Sequence, residues 1–317
     1  MSSKIALFGA AGAIGQSIAQ ALSAAGQPYR VVGRSGAALH KAFGHDPLAE
    51  IVTWNPDSPD SVRAAAAGVD TIVYLVGVNY WQFELHPELM RKTLDGAIAA
   101  GVRNLLLIGT VYPYGRARGD APIREDHPRE PQTFKGRMRK AQEDLLLQAH
   151  AEGRIHGAVL RLPDFYGPDV DRSLLHGAAV AAVRGGTADM LGPLDAPHEF
   201  VFVPDVGPVV AKVVATPAAW GRVWHLAGAG VTTQRALVGE MERVSGRPLK
   251  RRVAGKTVLR VLGLFDKFMR EAVEMNYLMT EPVILDDRAL QGLIGPIPKT
   301  PYAEGIRRTM AAVPRAA

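Results

Sequence analysis

Gly9, Gly12 and Gly15 stand three residues apart in the stretch ALFGAAGAIGQSIAQAL, after an apolar run and ahead of a segment of helical periodicity. At such a junction Gly9 permits a tight turn, Gly12 lets backbone approach a pyrophosphate, and Gly15 allows the helix to pack closely on the strand. The free N–H groups at the helix start would face the phosphates. Gly9, Ala10, Gly12, Ala13, Ile14 and Gly15 therefore form a candidate dinucleotide loop, against the alternative of a glycine-rich turn with no ligand. The next apolar run leaves as YRVVGRSG, with Arg34 and no carboxylate. A guanidinium there suits a 2′-phosphate through paired, charge-assisted hydrogen bonds, where an acid would take a ribose hydroxyl. This points to NADP, the alternative being an exposed Arg in a polar turn. A third stretch, KGRMRK at 135–140, puts four cations into six positions just ahead of the apolar run DLLLQA. It reads as a solvated helix face, a nucleic-acid patch or part of an active site.

The elements that would position these residues alternate. Apolar runs recur as KIALFGA, YRVVG, EIVTW, DTIVYLVG, VRNLLLIGT and IHGAVLRL, with helical stretches between them, and RVWHLAG at 222–228 reads as one more buried strand. This pattern predicts an α/β fold, a Rossmann-type doubly wound parallel sheet covered on both faces by helices, with a smaller, discontinuous C-terminal lobe. Residues 1–164 and 201–229 are expected to form the NADP-binding domain, and 165–200 with 230–317 the substrate lobe. The segment 256–279 reads as one amphipathic helix packed on that lobe. Membrane contact is not expected of it, because its polar face is mixed in charge.

Composition narrows the classes. The 317 residues are 47% hydrophobic and 21% charged, the range of a soluble globular chain. The absence of cysteine excludes disulfides, thiolate catalysis and Cys-ligated metals, and no His spacing suits a metal. A net charge of +6 is a mild excess, and neither KGRMRK nor the group Arg247, Lys250, Arg251 and Arg252 carries the interleaved aromatics of a stacking platform, so nucleic acid is not expected. The start MSSKIALFG leaves no room for a signal peptide and no apolar run could span a bilayer, so a cytoplasmic protein is expected.

Taken in order along the chain, the motifs resemble the extended branch of the short-chain dehydrogenase/reductase superfamily, the NAD-dependent epimerase/dehydratase group. GAAGAIG is similar to its nucleotide loop. TWNPDSPDSV resembles its segment after the third strand, with Asn55 where an adenine-contacting Asp commonly lies, and YLVG its fourth-strand turn at Leu75, Val76 and Gly77. IGTVYPYG places Thr110 at the catalytic Ser/Thr position. RLPDFYGP, with Pro163, and HEFVFVPDV resemble two later family segments. The departure is KGRMRK. The register from Gly115 and from Glu143 puts Lys135 and Arg139 where the family carries Tyr-x-x-x-Lys, still four apart and on one helix face.

The resemblance implies that the first position exchanges a proton with the substrate while the second holds the nicotinamide ribose. Arg139 keeps donors for ribose hydroxyls. A lysine has a reference pKa close to that of a tyrosine, so Lys135 is a candidate proton donor in its place. Tyr112 and Tyr114 offer a further phenolic donor near Thr110. Two classes stay open. One is an NADP-dependent oxidoreductase or epimerase acting on a small carbonyl or hydroxyl compound. The other is a catalytically degenerate NADP-binding sensor or partner-binding protein. The family resemblance also implies a homodimer.

Overall fold

The computed structural model describes residues 4–119 and 122–314. Six of the runs form strands β1 (Ile5–Phe8), β2 (Tyr29–Gly33), β3 (Ala49–Thr53), β4 (Thr71–Tyr74), β5 (Asn104–Thr110) and β6 (His156–Leu162). Beyond them lie β7 (Asp164–Tyr166), β8 (Thr187–Leu191), β9 (Phe200–Phe202), β10 (Val223–His225) and β11 (Lys250–Ala254). Seven strands make one sheet in the order β10-β6-β5-β4-β1-β2-β3, every pair parallel. The chain runs outward one way through β2 and β3 and the other way through β4 to β10, so the order reverses between β1 and β4. Ligands of open parallel sheets lie at that reversal, beyond the carboxyl ends of the strands.

Alternation along β1 shows why helices cover both faces. Leu7 packs with Ile18, Leu22, Val206 and Val210, on the side of α1 (Ala13–Ala24) and a later helix, Val203–Ala215. Ala6 and Phe8 pack with Val62, Leu94 and Leu146, on the opposite side. Those residues come from Pro59–Ala66, α4 (Leu85–Ala99) and α5 (Phe134–Ala151). With α2 as Gly36–Phe43 and α3 as Pro59–Ala66, each interval between consecutive strands up to β6 holds one helix. Each fully buried Leu or Val contributes on the order of 1.5–3 kcal/mol, which is what fixes this layering. Leu290 and Ile297, far along the chain, join the first of these cores.

Two short parallel ribbons lie outside the main sheet, β7 with β9 and β8 with β11. Around them α6 (His176–Arg184), α8 (Gln234–Ser245) and α12 (Tyr302–Ala312) share a core of Ala178, Ala182, Leu237, Met241 and Ile306. The helix Val203–Ala215 is α7 and Arg288–Ile294 is α11.

The segment 256–279 is not one helix. It forms α9 (Lys256–Leu262), a turn, α10 (Lys267–Met275) and a 3₁₀ turn, Asn276–Met279. Asp266 starts the second helix by accepting the Met269 N–H at 2.8 Å, a cap that competes with continuing the first. Periodicity alone could not show that break, because the apolar spacing runs through it.

Candidate functional site

The glycine loop closes on the turn after β4. Gly9 lies at φ +86°, and its N–H donates to Val32 O at 2.8 Å. A Cβ there would stand 2.8 Å from backbone atoms of Leu75 and Val76, so loop and turn touch. At Gly15 a Cβ would lie 2.1 Å from Ala10 O, which only glycine avoids. Gly12 is the N-cap of α1, contributes no side-chain cap, and has no atom within 4 Å of a Cβ placed on it. The first N–H groups of α1, from Ala13 and Ile14 onward, thus border open space at the positive end of the helix. That cradle fits a pyrophosphate. Arg34 leaves β2 exposed, and no carboxylate pairs with it among the described residues. Asn55 follows β3 and is partly committed to its own turn. Its Oδ1 accepts the Asp57 N–H at 3.0 Å and its N–H donates to Ser61 Oγ at 2.8 Å. Gly77 is exposed beyond the turn, and Pro163 is buried between β6 and β7.

The second group of residues gathers around the first turn of α5. Thr110 ends β5, and its Oγ1 accepts the Tyr112 N–H at 3.2 Å, starting the 3₁₀ turn Tyr112–Tyr114. Thr133 caps α5 by accepting the Gly136 N–H at 3.0 Å. One residue in, Lys135 is 1% exposed. Its Nζ donates to Glu271 and, at 2.9 Å, to Glu274, both on α10, and stands 5.0 Å from the Tyr80 ring centroid. Glu274 also accepts the backbone N–H groups of Phe134 and Lys135. A turn later Arg139, also buried, donates to His86 Nδ1 at 3.3 Å and to Ile108 O at 3.2 Å. Burial and the Arg139 charge hold His86 down at about 2, so its ring stays neutral and accepts. Arg137 is exposed, and Lys140 is paired with Asp144 at 2.7 Å.

Tyr112 stands beside this group. Tyr80 donates to its hydroxyl, and Phe83 stacks on its ring at 6.3 Å. Burial, and then the charge of Asp164, push its phenol up to about 12, while Arg139 opposes the rise. Asp164 itself accepts from His198 at 2.7 Å. Tyr114 is drawn elsewhere. Its hydroxyl is 2.5 Å from His225 Nε2, and the Arg161 guanidinium lies 4.2 Å from its ring centroid. It is 1% exposed, which leaves Tyr112 as the phenol near Thr110.

Glu271, Glu274, His86, Tyr80 and Asp164 are the residues that sequence reasoning did not single out. The two glutamates lie more than a hundred positions from Lys135, and nothing local signals the pairing.

Two cavities are formed by the described residues. One, of about 510 Å³, lies between Thr133, Glu274, Tyr277, Lys256 and Pro193, on the lobe side of the Lys135 clasp. The other, of about 710 Å³, lies past the end of β10 and is walled by Glu199, Asp287 and Lys299. Glu199 accepts the Gly228 N–H at 2.5 Å and the Leu285 N–H at 2.9 Å, tying three segments together. Burial raises its carboxyl from 4.5 to about 7 despite those donors. The folded chain therefore binds this proton more tightly than the unfolded one. The stability it contributes is full below pH 4.5 and is lost as pH rises through 7. Thermal unfolding of Glu199→Gln should show a flatter pH dependence across that window, and an unchanged slope would remove Glu199 as its source.

A parallel sheet with a glycine cradle at its switch point defines a Rossmann-type nucleotide-binding fold. The chain belongs to the NAD-dependent epimerase/dehydratase family, whose model matches residues 5–227. It is 28% identical over 262 residues to a dTDP-6-deoxy-L-talose 4-dehydrogenase (NAD(P)(+)) of Kitasatospora kifunensis, covering 77% of this chain and 80% of the relative. In three dimensions it is similar to the dTDP-glucose 4,6-dehydratase of Streptomyces venezuelae with NAD bound. The TM-score is 0.81 at 20% identity, over 97% of this chain and 96% of that one. It is also similar to a UDP-glucuronic acid 4-epimerase of Bacillus cereus in complex with NAD, with a TM-score of 0.81 at 15% identity over 98% of both chains.

Proposed function

We propose that this chain is an NADP(H)-dependent oxidoreductase or epimerase acting on a small carbonyl or hydroxyl compound, in which Lys135 carries the proton. When bound, the nicotinamide supplies or accepts the hydride. The loop from Gly9 to Gly15 holds the pyrophosphate and Arg34 the 2′-phosphate, with Asn55, Leu75, Val76, Gly77 and Pro163 completing the cofactor bed. Arg139, fixed by neutral His86, anchors the ribose. Thr110 hydrogen-bonds the substrate oxygen. The observation that carries the assignment is the clasp on Lys135. Its ammonium is buried, while the two carboxylates holding it are 31% and 26% exposed, so a proton given to substrate is replaced from solvent through Glu271 and Glu274. Support for hydroxyl–carbonyl chemistry comes from the 4-dehydrogenase relative and from the family model. A chain without cysteine suits a cytoplasmic, reducing setting.

The same clasp favours a second function, an NADP-binding sensor whose roof helix stays closed on α5. Steady-state oxidation of NADPH and NADH across a panel of small aldehydes and ketones separates the two, since a sensor turns over none of them. Arg34→Ala is expected to raise the KM for NADPH by roughly 10–100-fold, the equivalent of about 1.5–3 kcal/mol for a charged hydrogen-bonded pair, and to leave NADH unchanged. An equal rise for both cofactors would remove Arg34 from the 2′-phosphate.

A further inference from the structure

The α9–α10 hairpin holds apolar side chains out in solvent. Ten large apolar side chains are exposed among the described residues, and six of them, Val253, Val258, Val261, Leu262, Leu264 and Phe265, fall between positions 253 and 265. Leu264 is 70% and Phe265 89% exposed, at the turn where the hairpin reverses. Within α9 only Leu259 is buried. Soluble surfaces scatter such side chains singly, and a cluster marks a contact.

The charge is concentrated in the same place. Residues 247–270 hold eight Lys and Arg against one Asp, a net of +7 where the whole chain carries +6. Arg251 and Arg252 are paired with Glu242 and Asp189. Lys250, Lys256, Arg260 and Lys267 have no ion pair among the described residues, and the one acid, Asp266, is spent on capping α10. The expectation of no membrane contact rested on the mixed charge of a single helix. The break at Gly263–Asp266 separates those charges. Glu271 and Glu274 are turned onto Lys135, while α9 and the turn keep the cations and the exposed apolar side chains.

We propose that this hairpin docks on the surface of an anionic lipid bilayer, with Leu264 and Phe265 entering the acyl boundary and Lys256, Arg260 and Lys267 meeting lipid phosphates. No helix among the described residues is long and apolar enough to cross a membrane, so the contact is peripheral. A protruding apolar tip ringed by cations suits a deformable anionic surface. A second copy of the chain would bring the same charge to the contact, and nucleic acid offers nothing to the aliphatic side chains.

The test is co-sedimentation of the full chain with vesicles of phosphatidylcholine alone and of equimolar phosphatidylcholine and phosphatidylglycerol. The chain is expected to pellet with the mixed vesicles and to remain in solution with the neutral ones. Leu264→Ser combined with Phe265→Ser should lower the partition coefficient by about 10²-fold or more, with far-UV circular dichroism and thermal unfolding unchanged because both side chains are already exposed. Lys256→Gln combined with Arg260→Gln should lower it by about 10-fold, at roughly 1 kcal/mol per charge near the surface. Pelleting with neither vesicle, or equal pelleting of the serine variant, overturns the proposal. So does a serine variant that loses self-association while wild type ignores vesicles, which would assign the hairpin to a second copy. Binding of duplex DNA by a chain that ignores vesicles would equally overturn it.

Discussion

Replacing Lys135 by Met is expected to lower turnover by about 10²–10⁴-fold, the usual effect of removing a positioned general acid, while NADP(H) affinity stays nearly unchanged. Met keeps the volume of the buried stem and loses the ammonium together with its contacts to the Tyr80 and Phe83 rings. The loss also leaves Glu271 and Glu274 without their shared cation, although Glu274 keeps the backbone N–H groups of residues 134 and 135. Both glutamates are about a third exposed or less, so the stability cost should be about 1–3 kcal/mol rather than the roughly 3–5 of a fully buried break. Adding Glu271→Gln and Glu274→Gln to Lys135→Met should restore that stability and leave turnover low, which separates chemistry from folding. Full activity in Lys135→Met would move the donor role to Tyr112. That phenol is held up at about 12 by burial and the Asp164 charge, against which the Tyr80 hydrogen bond and the Arg139 charge act.

The largest effect on stability is expected one helical turn beyond Arg139. Arg161 is wholly buried and Glu143 is 2% exposed. Arg161 Nε donates to Glu143 Oε1 at 3.0 Å and Nη2 donates to Oε2. Arg161 Nη1 has no hydrogen-bond partner among the described residues, so the guanidinium has little besides this carboxylate and the Tyr114 ring to offset its lost hydration. Glu143→Leu should therefore cost about 3–5 kcal/mol in urea denaturation, because it strands a charge in the core. Glu143→Leu with Arg161→Leu should recover most of that, since Arg129, the other partner of Glu143 at 3.3 Å, is partly exposed and keeps Asp144 at 2.8 Å. A single variant costing less than about 1 kcal/mol would mean that the pair does not hold α5 to β6. The proposed chemistry depends on this pair as well, because the helix fixed there carries Lys135 and Arg139.

What the sequence made legible was local. The three glycines, the β2 exit at Arg34 and the alternation of runs each depend on neighbours within a few residues, and all appear at the edge of one parallel sheet. Lys135 and Arg139 lie on the buried face of α5 because four residues is a full turn, and Glu143 continues that face. The long-range pairings were not legible. Glu271 and Glu274 meet Lys135 only because α10 folds back over α5, and α10 exists as a separate helix only because Asp266 caps it. Nothing around His86 in the sequence marks it as a partner of Arg139. It becomes a neutral acceptor for Arg139 only when α4 packs against α5. The same break in the 256–279 segment puts Phe265 in solvent, where a continuous amphipathic helix would have covered it.

Calorimetric titration of the unmodified chain with NADPH and with NADH tests the central claim most directly, because the proposed chemistry begins at the glycine cradle with Arg34 beside it. The account predicts saturable binding of both cofactors, with NADPH tighter by at least about 10-fold, the contribution of one charged hydrogen-bonded contact. Equal or tighter binding of NADH, or binding of neither, would contradict it.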